Sequence, residues 1–75
     1  MEQQKIKFTR TEREILIIIK ANPDINNPQI ADAMFMMKSS IGQKLRSIYA
    51  KLGYDDVPDR EKRTQLNEWL QEDHI

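Results

Sequence analysis

Apolar residues in this chain recur three and four positions apart. Nowhere do they alternate with polar ones at the period of two that a half-buried strand needs. Four such stripes follow one another: Ile15, Leu16 and Ile19; Ile30, Ala31 and Met34; Ile41, Leu45, Ile48 and Leu52; and Leu66, Trp69 and Leu70. Residues three or four apart share one face of a helix, so each stripe marks a helix with one side to bury. The pattern predicts an all-α fold of four helices.

The residues between the stripes set the helix limits. Thr9-Arg10-Thr11-Glu12 has the spacing of a capping box, in which threonine and the glutamate three residues on satisfy each other's backbone N–H. Asn22-Pro23 stops that first helix. Asn27-Pro28 reads as an N-cap followed by proline at the first helical position, where its missing N–H costs nothing, and the second helix is expected over residues 28–35. The third is expected over 38–52, closed by Gly53 in the left-handed conformation. A loop over 54–58 leads to a fourth over 59–72. The connection at Met36-Met37 is short enough for the corner of a helix-turn-helix domain.

Length and composition bound the rest. Seventy-five residues make a single domain, 1–75, and a chain this short buries only about 60% of its unfolded surface. With no cysteine there is no disulfide framework or thiolate metal site, and the lone histidine, His74, is expected as an exposed residue near the end. No apolar run exceeds five residues, far short of the roughly 18 a membrane span needs. The opening MEQQKIKF lacks the apolar core of a signal peptide. These features predict a soluble, cytoplasmic protein. Asp55, Asp56 and Asp59 are close enough in sequence to hold a cation, but a turn followed by a helix start explains them more simply. Met34, Met36 and Met37 are expected to fill core around the corner. There is no nucleophile–base pair, glycine-rich phosphate loop or metal-ligand spacing, so no enzyme, cofactor or small-molecule ligand is expected.

The net charge is zero, but its distribution is uneven. Residues 1–32 carry five basic and five acidic side chains, residues 33–54 carry four basic and none acidic, and residues 55–75 carry three basic and seven acidic. A chain polarised in this way presents a positive face to any polyanion. The basic window coincides with the third helix. Opposite its apolar stripe lie Ser39, Gln43, Arg46 and Ala50, flanked by Lys44 and Lys51, with Gly42 to the other side. A face without bulky apolar residues suits a DNA major groove. There Arg46 reaches guanine bidentately, Gln43 pairs with adenine and Ser39 reaches a base or a phosphate, while Lys38, Lys44 and Lys51 meet phosphates.

Three blocks of sequence add to this. FTRTEREIL at residues 8–16, Ile30-Ala31 followed by Met34-Phe35, and SIGQKLRSIYAKLG at residues 40–53 together resemble the GerE/LuxR-type helix-turn-helix domain, also found at the end of NarL-like response regulators. The resemblance covers residues 8–53. It implies that Gln43 and Arg46 read bases, that Ser40 and Lys44 lie near the DNA backbone with Lys38 and Ser39 on the same approach, and that Leu66, Trp69 and Leu70 form a dimer interface. Some positions depart from the family pattern. Gly42 stands where a lysine is common, and Met37 stands where a serine cap is usual, leaving Ser39 or Ser40 to bond to backbone instead. The loop over 21–27 and the loop after Gly53 are long. Ile17 is apolar where the family is polar; it is an ordinary exposed isoleucine, or packs on the fourth helix or on a partner.

The sequence therefore predicts a sequence-specific, DNA-binding transcription regulator. It acts as a stand-alone domain on double-stranded DNA and as a homodimer, with only seven residues before Phe8 and hence no receiver or sensor domain. The alternative is a protein-interaction module of the same fold, docking on a regulator or a polymerase subunit through Ile17 and the acidic fourth helix.

Overall fold

The computed structural model describes residues 6–72, so His74 lies outside the described residues. These residues form four α-helices and no strand: α1 (Arg10–Ala21), α2 (Asn27–Met34), α3 (Lys38–Lys51) and α4 (Asp59–Gln71). None of these helices is long and apolar enough to cross a membrane.

The four stripes meet in one core. Ile15, Leu16 and Ile19 of α1, Ile30 and Ala31 of α2, Ile41, Leu45 and Ile48 of α3, and Leu66 and Leu70 of α4 are all buried together. Met34, Met36, Tyr49, Leu52, Tyr54 and Trp69 close over its rim. Each fully buried leucine or isoleucine is worth roughly 1.5–3 kcal/mol. The α4 result corrects one expectation. Leu66 and Leu70 are fully buried within the protomer and have no surface to offer a second copy. Trp69 also turns inward, meeting the Phe8 ring edge-on with centroids 6.0 Å apart. A domain this small needs its fourth apolar stripe to complete its own core. Ile17 stays half exposed, at 50%.

Two helix starts are capped in full. The Thr9 hydroxyl accepts the Glu12 N–H at 3.1 Å, and Glu12 Oε1 accepts the Thr9 N–H at 2.9 Å. The second cap is Asn26, one residue earlier than the sequence reading placed it. Asn26 Oδ1 accepts the Gln29 N–H at 2.9 Å, and Gln29 Oε1 accepts the Asn26 N–H at 3.0 Å, so the glutamine three residues on completes a box that Asn27 has no partner to form. Helix α3 differs. Its cap is Met37, which offers no acceptor, and neither Ser39 nor Ser40 substitutes for it.

The ends of α2 and α3 share one hydrogen-bond pattern. At the first, the Phe35 N–H reaches the Asp32 carbonyl (3.3 Å) and the Met36 N–H the Ala31 carbonyl (2.9 Å). At the second, the Gly53 N–H reaches Ala50 (3.1 Å) and the Tyr54 N–H reaches Tyr49 (2.9 Å). Both are Schellman turns, whose pivot residue must adopt a left-handed conformation. Gly53 does so at φ 78° without penalty; Phe35 does so at φ 56°, ψ 43°, where a Cβ costs roughly 1–2 kcal/mol. The chain between α2 and α3 is thus only Phe35–Met37 long, and α3 packs directly on α2.

Candidate functional site

Of the residues expected to touch DNA, six lie together on α3 and one has another role. Ser39, Gln43, Arg46 and Ala50 are all exposed along the side opposite Ile41, Leu45 and Ile48, as their 100° spacing requires. Lys38 is exposed beside them, and Ser40 and Lys44 are half exposed on the flanks. Among the described residues, the side chains of Lys38, Ser39, Ser40, Gln43, Lys44 and Arg46 make no hydrogen bond or ion pair. Helix α3 therefore presents three cations, a glutamine and two hydroxyls whose bonding capacity the fold leaves unused.

Lys51, also expected to meet a phosphate, is the exception, because it has a partner within the protein. Its Nζ lies 2.5 Å from Glu12 Oε1 and 5.7 Å from the centre of the Phe8 ring. Glu12 is 2% exposed. Burial alone pushes the Glu12 carboxyl up, but hydrogen bonds from Lys51, the Thr9 N–H and the Ser47 hydroxyl, with the Lys51 charge, outweigh it and hold the group below the usual carboxylate value. Lys51 thus fastens the end of α3 to the start of α1.

Beside Arg46 opens a groove of about 310 Å³, bordered by Gly42, Leu45, Tyr49, Asp59, Lys62 and Arg63. Gly42 faces open space there: a Cβ built on it would meet nothing within 4 Å. Asp59, the acidic residue on this rim, pairs with Lys62 at 3.2 Å, and the Lys62 ammonium lies 5.9 Å from the Tyr49 ring centre. Burial raises the Tyr49 hydroxyl above its ordinary pKa. Arg63 is structural. Its guanidinium donates to the carbonyls of Pro23 (3.2 Å) and Ile25 (2.5 Å), and Asn67 donates to Pro23 at 3.2 Å, so α4 fixes the loop between α1 and α2. Burial pulls Arg63 below its usual pKa, which the Tyr49 and Asp24 charges partly offset.

The corner itself carries two features that sequence reasoning missed. Phe35 is 96% exposed and Met37 is 72% exposed, so of the three methionines expected to fill core only Met34 and Met36 do so. A phenylalanine does not advertise a left-handed pivot, because glycine and asparagine are the residues that usually take it.

No protein-family model matches this chain, and no curated protein and no solved structure matches it either.

Proposed function

We propose that the chain is a sequence-specific DNA-binding transcription regulator, a helix-turn-helix domain of the GerE/LuxR type, whose α3 enters the major groove. The observation that supports this reading best is the outward side of α3, where Ser39, Gln43 and Arg46 are exposed without internal partners and Lys38 and Lys44 flank them. In the groove Arg46 donates two hydrogen bonds to guanine, Gln43 pairs with adenine, and the lysines neutralise phosphates on either wall. The three-residue corner sets α3 against α2 as such a domain requires. Binding, not catalysis, is the activity.

The test is fluorescence anisotropy on duplexes of mixed sequence, at low and moderate salt, with wild type and Arg46→Ala. Wild type is expected to bind with a steep salt slope, since phosphate contacts release counterions. Arg46→Ala is expected to lose about 1–3 kcal/mol on the preferred sequence while leaving stability within about 0.5 kcal/mol, because Arg46 is exposed and makes no hydrogen bond or ion pair within the protein. Absence of binding at low salt defeats the reading. A second reading, docking on another protein, draws on the exposed Phe35, Met37 and Ile17. It predicts association with little salt dependence and no response to Arg46→Ala.

A further inference from the structure

The corner between α2 and α3 forgoes stability twice within three residues. Phe35 holds a left-handed conformation that glycine would adopt freely, and Met37 occupies an N-cap that serine would fill with a hydrogen bond. Neither sacrifice helps the interior, because the two side chains are the most exposed large apolar groups among the described residues. Met36, between them, does turn inward and makes the apolar contact a Schellman turn normally carries. The turn's own hydrogen bonds and Met36 account for the left-handed backbone, but not for a phenylalanine at its pivot or a methionine at the cap. Such departures from local rules cluster where a surface meets a partner.

The charge around this tip selects the partner. Lys38 and Ser39 follow directly, both exposed, and Lys44 and Arg46 continue along the same helix. Two side chains alone are too small for a stable protein interface, which needs about 800 Å² from each side. They are the right size for a methyl group. In the major groove thymine presents such a group at C5, and an aromatic or aliphatic side chain recognises it by apolar contact. The first residues of a groove-entering helix are those nearest the base edges.

We propose that Phe35 and Met37 are an apolar reading element that packs on the 5-methyl group of a thymine next to the bases read by Gln43 and Arg46. The inference rests on the DNA-binding reading and adds a specificity to it: the preferred site contains a thymine whose methyl group the corner requires.

The test uses the duplex that wild type selects from a randomised pool, with each thymine replaced in turn by uracil, which differs only in lacking that methyl. Wild type is expected to lose roughly fourfold in affinity at one thymine, the worth of one buried methyl, and nothing at the others. The Phe35→Gly/Met37→Ser variant is expected to bind the thymine duplex more weakly than wild type and to be indifferent to uracil at that position. Both changes relieve a local cost, so the melting temperature of the variant is expected to rise by roughly 10 °C, and weakened binding cannot then be loss of fold. If wild type binds with a salt slope but uracil has no effect anywhere, or if the variant binds as tightly as wild type, the thymine contact is overturned and the DNA reading stands. If wild type selects no duplex even at low salt, both fall together.

Discussion

Helices α2 and α3 end in the same hydrogen-bonded turn, but at opposite local cost. At the end of α3 the pivot is Gly53, which takes φ 78° freely, and the next residue, Tyr54, stacks on Tyr49 with ring centres 6.3 Å apart. At the end of α2 the pivot is Phe35, whose ring is almost wholly in solvent. The helix starts divide likewise. Thr9–Glu12 and Asn26–Gln29 close reciprocal capping boxes, whereas α3 begins on an uncapped methionine. The side of the molecule that holds the core satisfies its local rules, and the side that presents α3 does not. Such a division is expected where selection for binding competes with selection for stability, because a contact made only in a complex contributes nothing to the free fold.

The largest effect that separates the two sides lies at Lys51. Its removal leaves the Glu12 carboxylate buried with only the Thr9 N–H and the Ser47 hydroxyl to stabilise it. Lys51→Ala is expected to cost roughly 3 kcal/mol in urea denaturation at neutral pH. The pH dependence distinguishes this from a simple packing loss. In wild type Glu12 has a depressed pKa in the folded state, so its contribution is present above the unfolded value of about 4.3 and is lost as pH falls through the lower folded value. Without Lys51 two of the influences that favour the charged carboxylate are lost, so the deficit of the variant is greatest near neutrality and narrows on acidification. A deficit independent of pH would show that the ion pair is not what Lys51 supplies.

Next in size is Gly53→Ala. It is expected to destabilise by roughly 1–2 kcal/mol, because alanine at φ 78° meets the same penalty that Phe35 already bears. No neighbour lies within 4 Å of the new Cβ, so the cost is backbone alone. If chemical denaturation shows no loss, the two turns are not equivalent and the comparison between them breaks.

Much of this division was legible in the sequence, and the residues show where legibility ended. The four helices, the Thr9 box, the Gly53 pivot and the buried stripes follow from spacing and capping chemistry, which act over three or four residues. The second cap was misplaced by one, although Gln29, three residues beyond Asn26, was the signal that distinguishes it from Asn27. Contacts between distant residues left no such trace. Glu12 and Lys51 are 39 positions apart, and Arg63 reaches back 40 and 38 positions to Pro23 and Ile25. A stripe such as Leu66 and Leu70 says that a face must be covered but not whether the same chain or a second copy covers it. The outer side of α3 was legible for a complementary reason: its side chains make no hydrogen bond or ion pair with other described residues, so helical period alone placed them.

Gly42 provides the smallest and most discriminating comparison. It stands in the interior of α3, where glycine costs about 0.5–1 kcal/mol relative to alanine, and no neighbour within 4 Å requires the missing Cβ. At Gly53 the conformation explains the glycine; at Gly42 neither conformation nor crowding does. The proposed DNA reading offers a reason: close approach of a duplex on the groove that Arg46 borders. Gly42→Ala is therefore expected to raise stability by about 0.5–1 kcal/mol and to weaken DNA binding in the same preparation, a pairing that no folding defect produces. If stability rises and binding is unchanged, Gly42 lies outside the contacted surface. The footprint of α3 then shrinks to its Ser39–Gln43–Arg46 edge.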